Sequence, residues 1–218
     1  MLIVPDWLRY SLEWSVIGLP LGIYLLGMGT WQYRLAYPVL VSGQRDLSTL
    51  LIGLSGFFLL GPPTWLVHRL RWHGDLWYWL GYAGYVVMLL LLAWWLLRKQ
   101  ARTTIIYAVD AADVREVLVE ATHQLSASAT IVPDCVYWPE QQALLQIRIS
   151  PWLRTATLRW LEGSEDWRQS VEQTIQAALT SREAARGPVP VLLLGGTILI
   201  GLATFHLLIW LLLRWLKP

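Results

Sequence analysis

One cysteine, Cys135, is all the thiol chemistry this 218-residue chain holds. An internal disulfide and a cysteine-rich metal site are therefore excluded. Charge is scarce as well: Asp, Glu, Lys and Arg make up 15% of the residues, and the net charge is +2. A balance so close to neutral gives no footprint for nucleic acid, which is not expected as a partner. A Walker loop, G-x-S-x-G, H-E-x-x-H and a dinucleotide fingerprint are all missing. The glycines of "GLSGFFLLG" lie within an apolar run and do not form a phosphate loop. A basic leader with a small-residue cleavage site is lacking too, since Asp6, Arg9 and Glu13 precede the first apolar run. That run is read as a retained helix.

Charge disappears altogether from four stretches, residues 14–32, 47–68, 76–97 and 187–213. A membrane-spanning helix needs about 20 mostly apolar residues. The four stretches are apolar all round and flanked by Arg and Lys, unlike the amphipathic helices of a soluble core. Eleven of the fifteen tryptophans lie at or near their ends: Trp7, Trp14 and Trp31, then Trp65 and Trp72, Trp77 and Trp79, Trp94 and Trp95, and Trp210 and Trp215. Indole rings favour the boundary between hydrocarbon and water. The expectation is an integral membrane protein with four helical spans.

The second span carries Gly61-Pro62-Pro63. Residues 47–60 alone reach about 21 Å as helix, short of a hydrocarbon core of roughly 30 Å. Two prolines remove two backbone donors. A kink is expected there, or a break followed by a short second helix starting at Pro62. Gly18, Gly22 and Gly29 in the first span, and Gly195, Gly196 and Gly201 in the last, leave thin faces suited to close helix packing.

Residues 102–186 differ in character. "RTTIIYAVD" reads as a strand, and "DAADVREVLVEATHQL" as a helix with Val114, Val117, Leu118, Ala121 and Leu125 at helical spacing. "ATIVPDCVYWPE" reads as one strand interrupted at Pro133. "ALLQIRI" and "TATLRWL" alternate as paired strands, and "SEDWRQSVEQTIQAALTSRE" closes the segment as a helix. The predicted organisation is three spans over 1–101, a small α+β domain of order β-α-β-β-β-α over 102–186, and a fourth span over 187–218. Leu145, Ile147, Ile149, Leu158 and Trp160 are expected to face Val117, Leu118, Ile175 and Leu179. Four spans place the domain opposite both termini. Its side carries Arg34, Arg45, Arg98, Lys99, Arg102, Arg182 and Arg186, against Arg9, Arg69, Arg71, Arg214 and Lys217 on the other. That excess favours a cytoplasmic domain. The halves do not match, which argues against an inverted-repeat transporter.

Few residues suggest chemistry. His206 is the one titratable residue well inside a span, and His68 is its sole candidate partner at similar depth. Such a pair could serve haem or a quinone. The plainer account is a neutral histidine bonded to a neighbouring helix. His68 and His73 flank the basic turn "HRLRWHGD", but a separation of five does not place two ligands on one helical face. An interfacial turn meeting lipid phosphates explains them better. Asp113, Glu116 and Glu120 share one helix face, most simply a solvated one; an enzyme would need a cleft lined by Asp113, Glu116 or His123. Cys135 reads as a small hydrophobe.

The order "VSGQRDLSTLLIGLSGFFLLGPP", a further span and then "RTTIIYAV" resembles multi-pass membrane proteins of planctomycete-type bacteria. The resemblance implies a few spans, a small α+β domain and a bacterial inner membrane, and carries no activity or site residue. The resulting expectation is a non-enzymatic membrane protein without catalytic residues, metal or cofactor. It would present its domain for partner binding or for assembly of a membrane complex, with the bilayer and a protein partner or a second copy as its contacts. The alternative is a cofactor- or small-molecule-handling protein at His206 and His68.

Overall fold

The computed structural model describes residues 6–70, 76–125, 128–132, 134–185 and 187–215. They form a mixed α+β fold of six helices and a six-stranded antiparallel sheet. The elements are α1 (Asp6–Arg34), β1 (Val39–Ser42), α2 (Gly43–Leu70), α3 (Leu76–Lys99), β2 (Thr103–Tyr107), α4 (Ala111–Leu125), β3 (Thr130–Val132), β4 (Cys135–Trp138), β5 (Ala143–Ser150), β6 (Thr155–Glu162), α5 (Glu165–Thr180) and α6 (Val189–Trp215).

The expected membrane bundle of four spans is corrected by this arrangement. Among the described residues one helical segment, Trp79–Lys99, is long and apolar enough to cross a bilayer. Freedom from charge does not make α1 and α2 as apolar as α3. Helix α2 opens on Gly43, Gln44, Arg45 and Asp46, with Ser48 and Thr49 close behind. Helix α1 carries Pro20, Gln32 and Arg34. In α6 the apolar stretch whose side chains are described is Val189–Leu202.

The chain divides into two compact units. The first comprises Met1–Gly29, Ser48–Leu96 and Val191–Pro218. Within it, small residues let helices approach. A Cβ built on Gly53 of α2 would lie 2.6 Å from Cβ of Tyr24 on α1, closer than any real side chain tolerates. Cβ atoms built on Gly22 and Gly196 would meet Ile200 and Leu25, both at 3.5 Å, so α1 and α6 touch. Gly195 and Gly201, by contrast, face open space.

Of the kink or break expected at Gly61-Pro62-Pro63, the break is not found: α2 runs without interruption from Gly43 to Leu70. Proline lacks the N–H that would bond the carbonyl four residues earlier. For Pro62 and Pro63 those carbonyls belong to Phe58 and Leu59. Helix α3 supplies the missing donors. The Tyr85 hydroxyl donates to the Phe58 carbonyl at 2.7 Å, and the Tyr82 hydroxyl donates to the Leu59 carbonyl at 3.4 Å. Neighbouring side chains are known to re-satisfy backbone groups freed by proline in apolar surroundings. Here they do so at both positions.

The second unit comprises Thr30–Leu47 and Leu97–Pro190. Its sheet has the order β1-β2-β6-β5-β4-β3. This corrects the expected β-α-β-β-β-α domain in two ways. A strand from before α2, β1, pairs with β2 along Val39↔Tyr107 to Ser42↔Thr104. "ATIVPDCVYWPE" is a hairpin and not one strand, because Val132 pairs with Cys135. Side chains alternate between the two faces of each strand. The inner face carries Ile106, Val136, Trp138, Leu145, Ile147, Leu158 and Trp160, which pack with Val114, Val117 and Leu118 of α4 and Val171, Ile175 and Leu179 of α5. Ile149 is partly buried at the margin of this core. Trp138 stacks on Trp160 with centroids 6.0 Å apart and meets Trp167 edge-on at 6.1 Å. Helix α5 begins where the Ser164 hydroxyl accepts from Trp167 N–H at 3.3 Å, a side-chain cap.

The join from α3 into β2 is short and heavily bonded. Gln100, Ala101 and Thr103 N–H groups donate to the Leu97, Arg98 and Gln100 carbonyls. Arg168 of α5 donates to the Ala101 carbonyl at 2.9 Å, and Gln44 donates to the Leu97 carbonyl at 3.3 Å.

Candidate functional site

The described depression in the α+β unit is an open groove of about 550 Å³ running along α5 beside β1. Leu40, Gln169, Glu172, Gln173, Gln176, Ala177 and Thr180 line it. Helical periodicity builds this wall. Val171, Ile175 and Leu179 turn into the core, so the neighbouring positions 169, 173, 176 and 180 share the adjacent polar face.

Two of the lining residues act as fasteners. Glu172 accepts from the Thr104 hydroxyl at 2.6 Å and from the Trp160 indole N–H at 3.2 Å. Its carboxylate also lies 3.4 Å from Arg168 Nε. A carboxylate only 18% exposed is thus supplied with donors from β2 and β6 and with a cation from its own helix. Gln176 Oε1 accepts from the Leu40 N–H at 3.0 Å. Strand β1 is a sheet edge, and this amide oxygen occupies the place of a further strand's carbonyl, blunting the edge against uncontrolled pairing. Gln176→Ala should leave that N–H without its partner and cost about 1 kcal/mol of stability. Faster hydrogen exchange at Leu40 in the variant checks this.

What remains for a ligand or partner is the amide-rich surface of Gln169, Gln173 and Thr180. Amides offer both donors and acceptors, which suits backbone or hydroxyl groups. They supply no nucleophile or general base.

The residues singled out in the sequence do not gather here. His68 and His206 fall in α2 and α6, and their side chains lie outside the described residues, as does all of His73. His123 sits in the last turn of α4. Glu116 forms an ion pair with Arg182 at 2.9 Å. Asp110 is paired with Arg154 across the sheet end. Cys135 is half-buried in β4. Among the described residues no group of three His, Cys, Asp or Glu side chains is placed to hold a metal ion. Sequence reading missed Glu172 and Gln176; the run of Gln169, Gln173 and Gln176 at spacings of four and three was the visible signal.

No protein-family model, no curated protein and no solved structure matches this chain.

Proposed function

We propose that this protein is a membrane-anchored, non-enzymatic presenter. Helix α3 holds it in the bilayer, and the α+β unit offers the groove along α5 to a protein partner during assembly of a membrane complex. The observation that carries the reading is the surface of α3. Over Trp79–Lys99 it is apolar and none of it is buried. Leu90, Leu91, Trp94 and Trp95 are all exposed. Its 21 residues correspond to about 31 Å of helix, close to the thickness of a hydrocarbon core of about 30 Å. Arg98 and Lys99 are its last two residues, which favours placing that end, and the α+β unit joined to it, on the cytoplasmic side.

The segment that leads into the α+β unit, between α3 and β2, is ordered by three turn bonds and two side-chain bonds.

The test is alkaline carbonate extraction of membranes carrying the full chain, followed by protease treatment of sealed inverted vesicles. The chain should stay with the lipid, and the α+β unit should be cut from the cytoplasmic face. Release into the carbonate supernatant would overturn the anchor, and protection in inverted vesicles would overturn the orientation.

A further inference from the structure

We infer that the outer face of the sheet, away from α4 and α5, rests on anionic phospholipid head groups. The inference builds on the anchor reading and adds a chemically specific contact. Three observations carry it.

The first is where the helical segments leave the sheet. Trp31, in the last turn of α1, packs edge-on against Tyr107 with centroids 5.5 Å apart. At the start of α2, a Cβ built on Gly43 would sit 2.9 Å from the Thr103 carbonyl and 3.1 Å from its Cβ. Tyr107 and Thr103 alternate with the core-facing Thr104 and Ile106, so they belong to the outer face. Both helical segments therefore approach β2 on that side.

The second is charge. Arg159 stands on the same face, level with Thr103 of β2 and Gln146 of β5. Arg148 follows one row along, level with Thr157. Both are exposed. Pairing of β6 with β2 brings Arg159 beside a chain segment that already carries Arg98, Lys99 and Arg102, all exposed. Of the acids around it, Asp46 accepts from the Tyr107 hydroxyl, Glu165 and Glu172 pair with Arg168, and exposed Asp134 lies beside Ile147, whose N–H its carbonyl accepts. Glu162 sits at the far rim, level with Leu144. The patch is basic, as an anionic bilayer surface requires.

The third is composition. Tyr137 and Leu161 are exposed on or beside this face, and Trp152 and Leu153 are exposed on the β5–β6 turn. Arginines interspersed with aromatic and aliphatic side chains suit the interface between head groups and hydrocarbon. An acidic protein would be met by the arginines but would leave those apolar groups in water.

The full chain is placed in bilayers of mixed phosphatidylcholine and phosphatidylglycerol, extracted gently, and the retained lipids are counted by native mass spectrometry. Wild type should retain phosphatidylglycerol in preference, and added salt should erode that preference. Arg159→Gln and Arg148→Gln should each reduce it about fivefold, the contribution of one basic residue at an anionic surface. Arg159→Lys should keep it. Arg115→Gln, on the exposed side of α4, should leave it unchanged. Retention of both lipids without preference, or equal losses in the Arg159 and Arg115 variants, overturns the inference while leaving the anchor intact. Retention of neither lipid overturns both. Circular dichroism of each variant confirms that the sheet is present.

Discussion

Leu158→Asp should unfold the α+β unit. Leu158 is fully buried on the inner face of β6, level with Ile147 of β5 and Thr104 of β2. A carboxylate there has core side chains around it and no partner cation. An uncompensated buried charge costs on the order of 4 kcal/mol, comparable to the whole stability of a domain, about 5–15 kcal/mol. The stack of Trp138, Trp160 and Trp167 lies in the same core and reports the loss. Its emission should shift to the red, and limited proteolysis should enter the sheet. The neighbouring change Thr157→Asp supplies the control. Thr157 points to the outer face, so its carboxylate should stay solvated and the unit should remain folded. Equal resistance to protease in wild type and Leu158→Asp would sink the packing scheme.

This core was legible because each of its elements advertises its own period. Val114, Val117, Leu118 and Ala121 recur at helical spacing, and Leu145, Ile147 and Leu158, Trp160 recur at spacing two. Burial in the structure follows those periods. Strand β1 was not legible. "VLVS" is four residues long, every one half-exposed, and sits between Pro38 and Gly43. A stretch so short shows no period, and its partner β2 lies beyond two intervening helices. The strand exists because β2 offers it a backbone edge and Gln176 closes its other side. One interrupted strand is expected around Pro133, whereas Val132 of β3 pairs with Cys135 of β4 as a hairpin. Long charge-free runs were read as four equivalent spans. Absence of charge is a weaker property than high hydropathy, and the polar start of α2 was hidden by setting the span's boundary at Leu47.

The groove was harder to read than the core. Glu172 and Gln176 take their meaning from Thr104, Trp160 and Leu40, which lie on three different strands. Helical spacing shows that Gln169, Gln173 and Gln176 share a face. It does not show that an edge strand runs beside them. The histidines attract notice for their chemistry alone; the side chains of His68 and His206, and all of His73, lie outside the described residues.

Removing two hydroxyls from α3 should damage α2 at its prolines. In the double variant Tyr82→Phe and Tyr85→Phe, the ring volumes are kept and the donors to the Leu59 and Phe58 carbonyls are lost. Losing such a hydrogen bond costs about 0.5–1.5 kcal/mol. The 2.7 Å bond of Tyr85 should account for most of the effect and the 3.4 Å bond of Tyr82 for less. Restoring the backbone donor separates this account from a general loss of packing. Pro62→Ala returns an N–H directed at the Phe58 carbonyl, so Tyr85→Phe should cost much less in that background than in wild type. Pro63→Ala should rescue Tyr82→Phe in the same selective way. The measurement is a pair of double-mutant cycles by thermal unfolding of the purified chain, with a crossed pair, Pro63→Ala with Tyr85→Phe, as the comparison. Coupling confined to the matched pairs identifies the tyrosines as substitutes for the two missing donors. Simple additivity in the matched pairs would show that the hydroxyls do not hold α2 together. Its continuity through Gly61-Pro62-Pro63 would then rest on helix packing alone.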